Sequence, residues 1–348
     1  MTDSHWSLAV PVATRVAGNY PLAETYHFAQ MRAQVPELFS RAAEMVTTET
    51  GLITPGAPDV RVVTRGEWAG RNVRSFTRML APIEEKIAAK LAETGKEGSS
   101  VALARRVMAV ETGALLGILA KRVLGQYELV LPDDEDEGDL VAMVGANVLM
   151  LERQQQFRPS EFRMWIALHE ATHRAQFIGV PWLRDYFLSL VHELVANSGP
   201  VPGRMARLVA EAVAAGKTGQ PLIDDSGILG LLATPEQKVA IDKVQALMSL
   251  LEGHGHVVMD RIGARILPSQ RRMSSVLKAR RKDPRTAALF RLLGMEMKMK
   301  QYELGEAFIQ VVEREAGWDR INRAWEAPAT LPTLAEIYHP QEWLRRVA

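Results

Sequence analysis

Apolar residues recur every three to four positions along most of the chain, which is the spacing that gives a helix one apolar face. Prolines and glycines divide this pattern into segments, because both residues interrupt or end helices. We expect a break near Pro36, since proline lacks the amide hydrogen that an interior turn needs. Helices are therefore predicted over residues 23–47, 66–80, 82–94, 101–122, 160–177, 181–196, 201–215, 235–261, 269–280, 285–292 and 296–315.

Two short segments, residues 127–132 and 140–145, instead show the alternation and β-branched content typical of strands. The acidic residues 133–139 between them lack the ligand spacing of a calcium loop and predict a solvated turn. The result is a β-hairpin, which must pack on helices because it is not stable alone. Residues 48–63 and 216–230 predict loops, and residues 325–340 predict an ordered wrap with short turns.

The chain of 348 residues shows neither an internal repeat nor a low-complexity linker. We therefore predict one compact, mainly α domain over residues 1–348, with a small β-hairpin beside the helix that carries the chemistry. A helical N-terminal part is expected to reach about residue 125, and the part with the functional site to span residues 126–348.

The charge and cysteine content exclude several classes of function. The 42 basic and 41 acidic residues nearly cancel, so no global field favours nucleic acid as a partner. The absence of cysteine excludes disulfides, thiolate metal sites and cysteine nucleophiles. We see neither a signal peptide nor an apolar run that could span a bilayer, and expect a cytoplasmic protein without membrane contact.

The segment 169–173, His-Glu-Ala-Thr-His, is the strongest chemical signal in the sequence. On a helix, His169 and His173 lie one turn apart on one face, so both imidazoles can bind one ion. Glu170 is rotated by about 100° around the axis, away from the ion but close to its bound water. Zinc lowers the pKa of such a water to about 7, and a carboxylate can take its proton as the water attacks a carbonyl. The pattern predicts a Zn²⁺ cofactor, with Glu170 as general base.

The third metal ligand is left open by the residues themselves. Position 179 is glycine, so a third histidine at the metzincin spacing is absent. Glu193 follows His173 at the spacing found in thermolysin-like enzymes. Glu252 and His256 lie on one stripe of a later apolar helix, where unpaired polar groups would be costly to bury.

Several segments beyond this motif resemble a bacterial family of zincin-like metallopeptidases, also labelled uncharacterised hydrolases. Some members are associated by name with the biosynthesis of a deazaflavin coenzyme. The similarity covers most of the chain from about residue 140 onward, with a weaker echo at residues 6–9. The matching segments are residues 162–177, 179–184, 251–254, 258–260, 300–305 and 322–336.

The resemblance implies a mostly α, zincin-like fold with His169 and His173 as metal ligands and Glu170 as the catalytic base. It singles out Glu252 as third ligand and also His254, which we expect to bind substrate or an oxyanion. Tyr302, in the matching Lys-Gln-Tyr segment, is a second candidate oxyanion donor because its hydroxyl could stabilise negative charge near zinc.

These residues predict a zinc-dependent hydrolase that acts on a peptide or small-molecule substrate. Among hydrolases, they favour a metallopeptidase. The alternative is a non-catalytic metal-binding or partner-binding protein on the same scaffold. Structural zinc sites are closed by four protein ligands. If Glu252 and His256 both join the two histidines, the site is closed and that alternative is favoured.

Overall fold

The computed structural model describes residues 5–93, 99–128, 139–196, 235–281 and 296–348, and helix predominates in these ranges. This confirms the mainly α fold class. The predicted helices at 201–215 and 285–292, the loop at 216–230 and most of the acidic turn lie outside the described residues. The elements are α1 (Ala9–Ala17), α2 (Tyr26–Thr50), β1 (Asp59–Val63), α3 (Arg65–Glu93), α4 (Ser99–Leu119), β2 (Gly125–Glu128), β3 (Leu140–Val144), α5 (Gly145–Gln155), α6 (Pro159–Gly179), α7 (Leu183–Ala196), α8 (Pro235–Ile266), α9 (Gln270–Arg281), α10 (Glu296–Ala316), α11 (Leu334–Tyr338) and α12 (Pro340–Arg346), with short 3₁₀ turns at His5–Leu8, Pro21–Glu24, Trp318–Trp325 and Pro328–Thr330.

Two helices run through prolines at which the sequence predicted an end. α2 continues past Pro36, and α3 joins the two predicted helices 66–80 and 82–94 into one. The predicted breaks were therefore wrong. Pro36 lies on the exposed side of α2, while Val35 and Phe39 beside it are buried. Water can satisfy the backbone carbonyl that proline leaves unpaired, and the buried apolar face holds the helix together.

The sheet has three strands in the order β1-β3-β2, with β3 in the centre. β2 and β3 pair antiparallel, as the predicted hairpin requires. β2 begins two residues before the predicted strand, and residues 129–132 of that strand lie outside the described residues. β1 pairs parallel to β3 with Asp59 opposite Leu140 and Val63 opposite Val144, so the prediction of a loop through residue 63 was wrong at its end. β1 gains its partner from a strand that lies far along the chain, and a local pattern carries little trace of such a pairing.

The chain divides into two compact units, each assembled from separate stretches of sequence. The first unit contains Met1–Ala175 and Ile262–Met273, and the second contains Gln176–Arg261 and Ser274–Ala348. The boundaries fall inside α6, α8 and α9, which continue through them. The expectation of one domain stays a prediction. Among the described helices, none is both long and apolar enough to cross a lipid bilayer.

The core of the first unit forms where α1 meets α4 and the buried side of the sheet. The backbones of α1 and α4 approach so closely that a Cβ atom on Gly113 would lie 2.4 Å from the carbonyl oxygen of Ala9. Trp6, Trp68 and β3 residues complete this cluster. The second stretch of this unit, Ile262–Met273, is bound to α6 through Ser269. The amide and the hydroxyl of Ser269 both donate to Glu161 in the first turn of α6, at 2.8 and 2.5 Å.

The second unit contains an equally close contact between α8 and α10. A Cβ atom on Gly253 would lie 2.3 Å from the carbonyl carbon of Gly305, and one on Gly305 would lie 1.8 Å from the carbonyl oxygen of Ser249. Gly253 is therefore the place where α10 crosses α8. Without side chains at these positions, the two backbones come into direct contact.

The C-terminal wrap of the second unit is held by the side chains of Glu336 and Arg346. Glu336 forms a capping box with Thr333 at the start of α11 and accepts hydrogen bonds from Arg346 at 2.6 and 2.9 Å. Arg346 also donates to the backbone carbonyls of Ala329 and Leu331. These contacts between Glu336, Arg346 and the neighbouring backbone keep the C-terminal segment ordered, as the sequence predicted.

The stability of this wrap is expected to depend on pH through Glu336. Burial opposes ionisation of the carboxyl, but the hydrogen bonds from Arg346 and Thr333 outweigh it and hold the pKa of Glu336 below its ordinary value of 4.5. A carboxylate with a lowered folded-state pKa stabilises the fold above the unfolded pKa, and this contribution is lost as pH falls through the folded pKa.

The wild type should therefore lose about 1 kcal/mol more stability below pH 4.5 than a Glu336→Gln variant does. Thermal unfolding followed by circular dichroism between pH 7 and 3 measures the difference. Glu342→Gln, at an exposed position on α12, is the control and should follow the wild type. Equal pH profiles for wild type and Glu336→Gln would contradict the assignment.

Candidate metal site

The His-Glu-Ala-Thr-His segment lies in the middle of α6. The Nε2 atoms of His169 and His173 are 3.1 Å apart, and their rings are nearly perpendicular with centroids 4.5 Å apart. Each ring is partly buried. Two imidazole nitrogens that converge in this way can donate their lone pairs to one ion.

α6 is anchored in the first unit by two buried arginines on either side of the motif. Arg163 donates to both carboxylate oxygens of Glu152, at 2.8 and 2.9 Å. Arg174, next to His173 in sequence, binds Asp139 at 2.6 Å and the backbone carbonyls of Pro55 and Gly56. Because bidentate arginine pairs fix geometry as well as adding energy, they set the position of the helix along its length.

Glu170 points to the sheet and is buried. Its Oε2 accepts a hydrogen bond of 3.0 Å from the backbone amide of Tyr127 on β2. Its other oxygen lies beside Gly125, where a Cβ atom would be only 2.7 Å away. A carboxylate held in this way has a defined orientation next to the two histidines.

Glu252 and His254 lie on α8, where the helix is buried on several sides. The side-chain amide of Gln176 donates to the backbone carbonyl of Leu251 and approaches Nδ1 of His254, both at 3.0 Å. With that amide as donor, Nδ1 is the acceptor and the proton of a neutral His254 is on Nε2. Trp318 stacks on the His254 ring at 5.8 Å and Trp325 meets it edge-on at 5.2 Å.

One group of side chains among the described residues could hold a metal ion. It consists of His169, His173 and Glu252, whose ligand atoms all lie within 4.8 Å of one another. Two neutral imidazoles and one carboxylate are a donor set that suits zinc and several other divalent ions.

The other candidates from the sequence are not members of this group. Glu193 lies on α7, where its neighbour is Tyr186. Burial raises the pKa of Tyr186, and the negative charge of Glu193 raises it further. His256 is buried on α8. In the described part of the chain it does not supply the fourth ligand that a closed, structural zinc site requires. Tyr302 lies in α10, and its side chain is outside the described structure, so its proposed role stays a prediction.

Sequence reasoning missed the groups that hold the candidate site residues in place. Gln176 stands one turn after His173, and a buried glutamine in an apolar stretch was a signal that could have been followed. The amide of Tyr127 left no signal, since any residue except proline supplies one. The importance of Gly305 becomes visible only when its partner helix is known.

Comparison with known proteins agrees with this geometry. Residues 5–344 match a family described as zincin-like metallopeptidases. A solved structure from Chloroflexus aurantiacus, described as a candidate hydrolase with a novel fold, is similar at a TM-score of 0.72 and 29% sequence identity, over 98% of this chain and 97% of that chain. A search of curated proteins found no match.

Proposed function

Because this chain belongs to the zincin-like metallopeptidase family, we propose that it is a zinc-dependent hydrolase that cleaves peptide bonds. In this proposal His169, His173 and Glu252 bind the ion and Glu170 is the general base. The observation that carries it is the convergence of the three ligand atoms within 4.8 Å, with the carboxylate of Glu170 on the adjacent position of the same helix.

The donor set supports a catalytic ion more than a structural one. Catalytic zinc sites use three protein ligands and leave a position open, whereas structural sites use four. The group contains three side chains. The chain has no cysteine, so the thiolate ligands of most structural sites are excluded.

Each of the proposed site residues would have a separate role in the reaction. A zinc ion bound there would polarise a carbonyl and make water a stronger acid. Glu170 would take the proton from the attacking water and pass it to the leaving amine, the two roles of a general base and acid. His254 and Tyr302 are proposed to donate to the oxyanion or to the substrate, as a neutral imidazole and a phenol can.

Metal content tests the ligands before any substrate is known. The purified wild type should contain one zinc per chain by elemental mass spectrometry, as should Glu193→Ala. His173→Ala and Glu252→Ala should lose most of it, since each removes one of only three protein ligands. A Glu252→Ala variant with full zinc, or a Glu193→Ala variant without it, would reject this ligand set.

Turnover tests the role of Glu170. A library of internally quenched peptides supplies the substrate, and Glu170→Gln should lower kcat by about 10²-fold or more while zinc content stays unchanged. Glutamine keeps the size of the side chain and removes the basic carboxylate. Full activity in Glu170→Gln would exclude the mechanism, and no cleavage by zinc-loaded wild type would exclude the peptidase assignment.

A further inference from the structure

The backbone amide and carbonyl groups of successive residues in β2 point alternately to β3 and away from it. Val144 donates to the carbonyl of Leu124 at 2.9 Å, and the antiparallel register pairs Gln126 with Ala142 and Glu128 with Leu140. Hydrogen-bonded pairs recur at every second residue of such a ladder. The main-chain groups of Gly125 and Tyr127 therefore point away from β3, and this is the side on which Tyr127 donates to Glu170.

Side chains on β2 are fastened to α3, which holds the strand in this orientation. Arg71 donates to both carboxylate oxygens of Glu128 at 3.0 Å. Trp68 donates to the side chain of Gln126 at 2.6 Å, and that side chain donates in turn to Asn72 at 3.1 Å. Ionic and neutral contacts at positions 126 and 128, which are two residues apart, leave β2 little freedom to shift or rotate.

Gly125 leaves the space that the Glu170 side chain occupies. A Cβ atom at position 125 would lie 2.7 Å from Oε1, 2.8 Å from Cγ and 2.9 Å from Cδ of Glu170. Each distance is shorter than a carbon can approach without displacing its neighbour. A side chain at position 125 and the present conformation of Glu170 therefore exclude one another.

We propose that the Tyr127 amide and the absence of a side chain at Gly125 together hold the Glu170 carboxylate in its working orientation. The amide fixes one carboxylate oxygen, and the glycine lets the side chain lie flat against the strand. Both groups act through the Glu170 carboxylate, and neither is proposed to contact the substrate itself. The inference rests on the proposed role of Glu170 as base, and its effect on rate follows because a displacement of about 1 Å can cost about 10²-fold in rate.

Hydrogen exchange tests the contact without any need for turnover. The Tyr127 amide, followed by NMR, should exchange about tenfold faster or more in Glu170→Ala than in wild type, because it loses its acceptor. Gly125→Ala should speed this exchange as well. Gly70→Ala is the matched control: a Cβ atom on Gly70 would meet nothing closer than 3.5 Å, and the exchange of Tyr127 should not change.

Kinetics then test the consequence for catalysis. Gly125→Ala should lower kcat about tenfold or more, with KM within about twofold of wild type. Zinc content should stay at one per chain, and Gly70→Ala should match wild type.

A backbone ester removes the amide donor while leaving every side chain in place. The α-hydroxy analogue of tyrosine at position 127 should lower kcat about tenfold at unchanged zinc content. An ester at Gln126, whose amide faces β3, should lower the melting temperature and leave kcat unchanged. A Tyr127 amide that does not respond to Glu170→Ala, or an ester at 127 with wild-type kcat, overturns the proposal.

The outcomes separate this inference from the proposed function. A wild type without zinc or turnover contradicts the proposed function and, with it, any effect of positioning on rate. The exchange measurement needs neither zinc nor substrate, and it still decides whether the strand holds the carboxylate.

Discussion

Replacing Gly305 with alanine is expected to destabilise the protein by about 3 kcal/mol or more, which is at the upper end for one added methyl group. The new Cβ atom would lie 1.8 Å from the carbonyl oxygen of Ser249, and the Gly253 Cα is 3.0 Å away. Both neighbours are backbone atoms in α8. They cannot rotate aside as a flexible side chain could, so the two helices would have to separate.

Urea denaturation followed by circular dichroism measures this loss. Gly70→Ala makes the same change in a helix of the first unit that has room for it, and it should be neutral or stabilising by up to about 1 kcal/mol. A loss below about 1 kcal/mol in Gly305→Ala would mean that the contact is looser than described.

Replacing Gln176 with leucine is expected to weaken zinc binding by about 10- to 100-fold, which is the usual effect of removing a group that orients a metal ligand. Gln176 is fully buried, and its side-chain amide contacts the carbonyl of Leu251, one residue before Glu252, and Nδ1 of His254, two residues after it. Leucine fills the same space without donating. The part of α8 that carries Glu252 would lose its tie to the helix turn that follows His173.

Zinc affinity is measured by competition with a chromogenic chelator. Gln310→Leu is the control, since Gln310 is exposed and its side-chain amide donates to Glu306 on the same helix. An unchanged affinity in Gln176→Leu would show that Glu252 keeps its place without the hydrogen bonds of Gln176.

The helices were predictable because their signal is local. Apolar spacing located α4, α6, α8 and α10 to within a few residues, since burial of one face determines both the pattern and the structure. The errors at Pro36 and β1 share a different cause. In each, contacts with distant residues outweighed a local preference.

The candidate site was predictable to the extent that its chemistry resides in side chains at a fixed spacing. His169, Glu170 and His173 form such a pattern. Glu252 was ranked first among three candidates only through a family resemblance, because helical spacing alone does not say which distant helix approaches. The amide of Tyr127 and the space at Gly125 could not be predicted, as one is common to nearly all residues and the other is the absence of a side chain.

The division of the chain into interleaved stretches has a consequence for its biosynthesis. The first unit needs Ile262–Met273, which the ribosome makes only after the whole of Gln176–Arg261 from the second unit. Until then Glu161 lacks Ser269, the partner that binds it through an amide and a hydroxyl. The first unit is therefore completed late in synthesis. A chain that ends at Ala175 would lack Ile262–Met273 and could not complete this unit.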